Sequence, residues 1–358
     1  MLKFKINKNI ISDKSKTYFI ADIAANHDGK LSRAKKLIRL CAKAGANAAK
    51  FQHFKAETIV LDEGFKKIGK LDHQSNWKDS VFNVYKKASI NPKWTQKLVK
   101  ECKKYNIDFL TSPYDLNYVD QLEKYLPAYK IGSGDITWKQ ILIKIAKKKK
   151  PVILASGAST LEDTINATKL LLKHNKKIVL MQCNTNYTND INNFNHINLL
   201  ALKQFKKIFK NNVILGLSDH TSGHSTVLGA IALGARVVEK HFTDDNNRIG
   251  PDHKFSMNFK TWSKMIEESR QLEKALGNGK KKIEINESKS AIIQRRGTWA
   301  SSNLKKGQKL RIQDLKFLRP CPINSISPFE INKYLGKKLK KKIKKNSVIT
   351  KTCINLQS

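Results

Sequence analysis

Eight apolar, β-branched runs recur along the first 275 or so residues, and each ends in small or polar residues. They are Tyr18–Ala25, Ala48–Phe54, Asp108–Tyr114, Ala128–Gly134, Pro151–Gly157, Lys177–Asn184, Val213–His220 and Arg236–Phe242. Between them apolar residues recur every three or four positions, the period of a helix. This pattern predicts helices over Leu31–Ala44, Leu161–His174, Ser222–Gly234 and Asn258–Leu276, and one from Asn91-Pro92 to Tyr105. Thr160, with Asp163 three residues on, is a capping signal for the helix that starts at Leu161. Strands alternating with helices predict a parallel sheet, and eight such units predict a (β/α)8 TIM barrel over residues 1–279. A doubly wound open sheet is the alternative, but no G-x-G-x-x-G follows the first strand. The connection from Lys55 to Asn91 is long for a barrel. It predicts a lid or small elements of its own, with His73, Gln74 and Trp77 able to touch a substrate.

After Gly277-Asn278-Gly279-Lys280 the rhythm breaks. Residues 280–290 are polar and charged, which predicts a linker. Short segments follow at Gly297–Ser301, Leu310–Leu318 and Ser347–Thr352, punctuated by Lys306-Gly307, Arg319-Pro320 and Gly336. They predict a small β-rich domain over 291–358, marginal alone and in need of a docking partner.

Charge adds less than its size suggests. The formal charge is +40, yet 60 of the 69 basic residues are Lys and nine are Arg. Arg is the residue suited to bidentate base and phosphate contacts. The Lys excess accompanies abundant Ile and Asn, as an A/T-rich coding sequence produces, so runs such as Lys147–Lys150 read as solvated surface and not as a nucleic-acid site. Such a surface still attracts small anions. The five cysteines show no paired spacing, which fits a reducing cytoplasm. Neither a signal peptide nor a membrane-length apolar run is expected.

The strand ends carry the candidate chemistry, because a barrel of this kind presents them on one face. In order they are Asp22, Asn26 and His27; Lys50, Gln52 and His53; Thr111 and Ser112; Lys130, Ser133, Gly134 and Asp135; Ser156 and Gly157; Cys183, Asn184, Thr185 and Tyr187; Ser218, Asp219 and His220; Glu239 and His241. His220 and His241 end the seventh and eighth strands, so two imidazoles converge as a divalent metal requires. Ser133-Gly134 and Ser156-Gly157 offer hydroxyls and backbone N–H groups suited to phosphate. Lys50 and Lys130 lie in apolar strand ends, where an unpaired ammonium is costly. They therefore call for an anionic ligand, or else for a carboxylate such as Asp22 or Glu239.

These residues fall in motifs. Asn26-His27-Asp28-Gly29, Lys50-Phe51-Gln52, Tyr129–Gly134, Gly216–His220, Glu239–Thr243 and Gly250-Pro251-Asp252 with Ser256-Met257 resemble the sialic acid synthase family across nearly the whole barrel. Arg295-Arg296, Leu304–Gly307, Asp314-Leu315 and Arg319-Pro320 resemble the antifreeze-like (SAF) domain that ends those enzymes. The resemblance implies condensation of phosphoenolpyruvate with an N-acyl amino sugar, giving a nine-carbon 2-keto acid and phosphate. It implies Mn²⁺ or Mg²⁺ on His220 and His241, the phosphoenolpyruvate carboxylate on Lys50, and its phosphate on Lys130, Ser133, Gly134, Ser156 and Ser218. Asp22, Gln52 and Asp252 would bind the sugar or water, Glu239 would support the metal or proton transfer, and Thr111 and Tyr187 would complete the substrate shell. Arg319 would reach the N-acyl group from the partner of a domain-swapped homodimer.

Departures cluster where the sugar would bind. Asp22 stands where the family usually has Glu, and Gln182–Thr188 replaces the commoner His-Cys-x-x-x-Tyr-Pro. N-acetylmannosamine is the default acceptor, and the 2,4-diacetamido sugars leading to legionaminic or pseudaminic acid are the alternative. Of other classes, a basic binding protein on a degenerate barrel would have eroded its strand ends, and a carbohydrate-binding scaffold would not need the histidine pair. Among enzymes, a synthase of seven- or eight-carbon keto acids lacks the SAF-like tail.

Overall fold

The computed structural model describes residues 2–69, 74–75, 77–188 and 190–356, in two units, Met1–Gly277 and Asn278–Ser358. The chain starts with an antiparallel hairpin, β1 (Lys3–Ile6) and β2 (Asn9–Ser12), that the apolar pattern does not announce. Eight parallel strands follow: β3 (Tyr18–Asp22), β4 (Ala48–His53), β5 (Asp108–Pro113), β6 (Tyr129–Ile131), β7 (Val152–Ala155), β8 (Ile178–Cys183), β9 (Ile214–Asp219) and β10 (Val237–His241). Each lies within one of the eight apolar runs. Their order is β5-β4-β3-β10-β9-β8-β7-β6, and β5 lies beside β6 at the seam. First and last barrel strands therefore pair, as a nearly closed TIM-like barrel requires and a doubly wound sheet forbids.

The main crossover helices are α1 (Leu31–Lys43), α5 (Thr95–Lys104), α6 (Leu116–Leu122), α7 (Lys139–Lys147), α8 (Leu161–His174), α9 (Ala201–Phe209), α10 (Ser225–Ala232) and α11 (Phe259–Ala275). Local chemistry sets their limits. Ala34, Leu37, Ile38 and Cys41 form the buried stripe of α1. Thr160 and Asp163 close a capping box on α8, and Asn258 with Thr261 does so on α11. The long connection after β4 carries α2 (Ala56–Ile59), α3 (Asp62–Ile68) and α4 (Val81–Ala88), while His73 lies outside the described residues.

The barrel interior has two layers. Ile20, Ala48, Leu110, Ala128, Ile153, Val179, Met181, Ile214 and Val237 fill the amino-terminal part. Phe4, Ile6 and Ile11 of the hairpin join that cluster. Asp108 fastens the hairpin by accepting from Asn7 Nδ2 (2.7 Å), Asn9 Nδ2 (3.0 Å) and the Tyr18 hydroxyl (2.7 Å). Gly216 occupies an interior position of β9 because a Cβ there would come within 2.7 Å of the Val237 carbonyl oxygen.

In the second unit β11 (Gly297–Ala300) pairs antiparallel with β12 (Leu315–Leu318), and isolated bridges such as Trp299↔Val348 and Leu304↔Ile343 complete the weave. Leu304, Leu310, Ile326, Leu339, Ile343, Ile349 and Ile354 give it a core of its own. The segment expected as a linker holds a short turn of helix at Ile285–Glu287 and the start of α12 (Ser288–Gln294). No helix among the described residues is long and apolar enough to cross a membrane.

Candidate active site

Alternation along the strands places the chemistry. Asp22 is in register with Lys50 on one side and His241 on the other, so their side chains share one level of the barrel. Lys50 Nζ donates to Asp22 Oδ2 at 2.6 Å and lies 3.6 Å from Glu239 Oε1, and Lys130 Nζ lies 3.3 Å from the same Glu239 oxygen. Two lysines and two carboxylates, all buried, thus neutralise one another. Of the two partners the sequence allowed for these lysines, the structure provides the carboxylates. Burial would push the Lys50 ammonium down, but Asp22 and Glu239 outweigh it and hold it above its ordinary value. Gln52 Nε2 also donates to Asp22 Oδ2, at 3.2 Å.

A cavity of about 540 Å³ opens above this cluster. Of the fifteen residues to which the resemblance gives a role, twelve line it: Asp22, Lys50, Gln52, Lys130, Ser133, Gly134, Tyr187, Ser218, His220, Glu239, His241 and Asp252. Three do not. The Thr111 hydroxyl is bonded to His53 Nδ1 at 2.9 Å, and the other His53 nitrogen is bonded to Thr95 of α5, so Thr111 faces the helix layer. The interior residue at this point is Ser112, in register with Gln52, and its hydroxyl is buried with no partner among the described residues. Ser156 donates to the Met181 carbonyl oxygen and lines the neighbouring cavity between β7, β8 and α9. Arg319 is exposed in the second unit, at the end of β12. One donor of the expected phosphate cradle is also engaged, since the Gly157 N–H donates to Ser133 Oγ at 2.9 Å.

The cavity has a wall that the strand-end residues alone do not foretell. Phe54, Ile59, Val84, Tyr85 and Ala88, from the end of β4, α2 and α4, present apolar surface to it, with Tyr114 and Trp77 beside them. Phe54 packs against Tyr85 and Tyr114, with ring centroids 5.5 and 6.1 Å away. The helical periodicity of residues 81–88 is the signal that could have found it.

His220 and His241 lie with ring centroids 5.4 Å apart, and Tyr187 and Phe255 pack against both. His220 Nδ1 donates to the Asn184 carbonyl oxygen at 2.7 Å, and against burial the hydrogen bonds to Cys183 and Asn184 hold this imidazolium above its ordinary value. Cys183 is hydrogen-bonded to the same ring. His241 Nδ1 is buried with no partner among the described residues. Burial and then the nearby His220 and Lys50 push the His241 imidazolium well below its ordinary value, so the ring is neutral, as a metal ligand must be. No group of three or more His, Cys, Asp or Glu among the described residues is arranged to hold a metal. The donor set fits a divalent ion held by two imidazoles and completed by water or substrate.

Two further carboxyls face the cavity with altered acidity. Burial raises Asp252 to about 6, despite the Ala25 N–H donated to it at 3.0 Å. Burial likewise raises Asp135 to about 6, against the pull of Lys130. Groups poised there can give or take a proton near neutral pH.

Comparison with known proteins agrees with this arrangement. Residues 37–281 match the NeuB family and residues 295–355 match the SAF domain. The chain is 38% identical over 338 residues to the N,N'-diacetyllegionaminic acid synthase of Campylobacter jejuni, covering 93% of this chain and 99% of that one. It is 33% identical to the pseudaminic acid synthase of the same organism, covering 94% and 96%. The crystal structure of the N-acetylneuraminic acid synthetase of Leptospira borgpetersenii superposes with a TM-score of 0.70 at 27% identity, covering 81% of this chain and 95% of that one. The chain belongs to the NeuB family and is an enzyme of the sialic acid synthase family, a barrel followed by a SAF domain.

Proposed function

We propose that this enzyme joins phosphoenolpyruvate to a 2,4-diacetamido hexose, releasing phosphate and a nine-carbon 2-keto acid of the legionaminic or pseudaminic type. The observation that carries the condensation is the neutral cluster of Lys50, Lys130, Asp22 and Glu239 beside the two histidines in one cavity. An entering trianion gives both lysines new partners, its carboxylate at Lys50 and its phosphate at Lys130, with Ser133, Gly134 and Ser218 alongside. Asp22 and Glu239 are then released from full pairing and face the reacting carbons.

Carbon 3 of phosphoenolpyruvate attacks the aldehyde carbon of the open-chain sugar, and positive charge develops at carbon 2. The freed carboxylates stabilise that charge. Glu239 takes a proton from the water that adds to carbon 2, while protonated Asp252 supplies the proton that the new hydroxyl on the sugar carbon requires. The tetrahedral adduct then collapses, breaking the bond from carbon 2 to the phosphate oxygen. His220 and His241 would hold Mn²⁺ or Mg²⁺, which when bound supplies Lewis-acid polarisation of the aldehyde.

Two findings support the diacetamido sugar over N-acetylmannosamine. The apolar wall of Phe54, Ile59, Val84, Tyr85 and Ala88 suits a second acetyl methyl better than a hydroxyl. Two of the relatives named above, at 38% and 33% identity, are legionaminic and pseudaminic acid synthases. Incubation with phosphoenolpyruvate, Mn²⁺ and a panel of free N-acyl amino sugars, followed by phosphate release and product mass, tests the reading. Turnover of a diacetamido sugar is expected. Turnover of N-acetylmannosamine alone would overturn the sugar assignment, and no phosphate release with any sugar would overturn the condensation. The proposed role of Arg319 across a homodimer predicts that Arg319→Ala raises the sugar KM and leaves that of phosphoenolpyruvate unchanged.

A further inference from the structure

Directly beneath the histidine pair, on the opposite face of the same strands, lies a second pair of charges that the reaction does not use. Lys240 is in register with Asp219, the last ladder pair between β10 and β9. Lys240 Nζ donates to Asp219 Oδ2 at 2.5 Å, and their side chains are 2% and 0% exposed. Both point outward into the helix layer, where neighbouring strands place Phe19, Phe51, Leu154 and Leu180. Replacing a buried ion pair by apolar residues of similar size is often neutral or stabilising, so such a pair is by itself weak evidence of a stabilising role.

Its contacts suggest another role. The same Lys240 Nζ donates to the Thr221 carbonyl oxygen at 2.6 Å. One ammonium therefore grips the residues on both sides of His220, and its own backbone continues directly into His241. Asp219 is held in turn by the Thr226 hydroxyl (2.6 Å), from the first turn of α10, and by the Thr221 hydroxyl (3.0 Å). Just beyond the last ladder pair this clamp ties the two strand ends together.

We infer that Asp219 and Lys240 are positioning residues that set the separation of His220 and His241, and so the affinity of the pair for a divalent cation. The inference rests on the metal reading of these histidines. Support of this kind behind metal ligands is typically worth about 10–100-fold in metal affinity.

The test is Mn²⁺ binding to the full-length protein by calorimetry or by the electron paramagnetic resonance of free Mn²⁺, with thermal melting in parallel. The double variant Asp219→Leu/Lys240→Met exchanges the pair for apolar residues; it leaves the Thr221 and Thr226 groups without these partners and should melt lower, but still in one cooperative transition. Its Mn²⁺ affinity should fall by about 10–100-fold. Lys240→Met alone should lose a similar factor, and Lys240→Arg, which keeps the charge, should recover most of it. A folded double variant that binds Mn²⁺ within about twofold of the unaltered chain would overturn the clamp while leaving the metal reading intact. Should the double variant fail to fold, equal affinities in Lys240→Met and Lys240→Arg would overturn it instead. An unaltered chain that binds no Mn²⁺, or that binds it equally after His220→Ala, would overturn the metal reading and the clamp together.

Discussion

Strand after strand, the barrel interior changes chemistry within two residues: Ile20 gives way to Asp22, Ala48 to Lys50, Ala128 to Lys130 and Val237 to Glu239. Both levels are buried and both sit on the same backbone geometry. The lower level gains by removing apolar surface from water, about 25 cal/mol per Å². The upper level gains nothing of that kind, and stays folded because its two lysines meet two carboxylates. The comparison separates what holds the barrel together from what acts, and it can be broken by substitutions at neighbouring levels.

The largest effect belongs to the upper level. Lys130→Met removes the cation assigned to phosphate but leaves Glu239 its second partner, Lys50. Steady-state kinetics should show kcat/KM for phosphoenolpyruvate falling by about 10³-fold or more, some 4 kcal/mol at 1.36 kcal/mol per tenfold. Melting should change little. A loss below about tenfold would mean that phosphate is bound elsewhere.

Next is the lower level. Ile153→Ala opens a cavity in the apolar layer and should lower the unfolding free energy by about 2–5 kcal/mol in urea titrations. Turnover at saturating substrate should stay within about threefold, under 1 kcal/mol at the barrier. An equal loss of activity would show the two levels to be mechanically coupled.

Much of this division is legible in the amino-acid sequence. The eight strands announce themselves because apolar, β-branched runs stop abruptly at polar residues, and those stops form the active face. The limits are physical. In a strand buried on both faces there is no alternation to say which residue points inward, so Thr111 reads as well as Ser112, and only the register with Gln52 decides between them. The hairpin Lys3–Ser12 has four-residue strands interrupted by Lys and Asn, and its partners are distant in sequence. The pairing of Lys50 with Asp22 depends on a cross-strand register that composition does not carry.

Asp252 sharpens the comparison through pH. Burial raises it from 3.8 to about 6, so the folded chain binds more protons than the unfolded chain between those values. Stability attributable to this group is therefore greatest at low pH and falls as pH rises through that window. Asp252→Asn retains an acceptor for the Ala25 N–H and should remove the fall. Relative to the parent, the variant should gain on the order of 2–3 kcal/mol between pH 4 and pH 7 in urea titrations. Asp135 contributes with the same sign but is present in both proteins, so it cancels in the difference. A parallel pH dependence in the two proteins would mean that Asp252 is solvated in solution.

The smallest effect concerns the cavity wall, which belongs to neither level of the barrel. Ile59 sits at the end of the short helix α2, partly exposed, and lines the cavity without entering the barrel core. Ile59→Ala should therefore leave melting nearly unchanged. If the wall receives a second acetyl methyl, the variant loses that contact for a diacetamido sugar and loses little for a sugar with a hydroxyl there. Losing a methyl-sized apolar contact is worth about 1–2 kcal/mol, or roughly 5–30-fold in kcat/KM. Competition between the two sugars for one enzyme, read by product mass, gives the ratio directly. A ratio unmoved by Ile59→Ala would place selectivity on another side of the cavity, with the polar strand ends Gln182–Thr188 the next to vary.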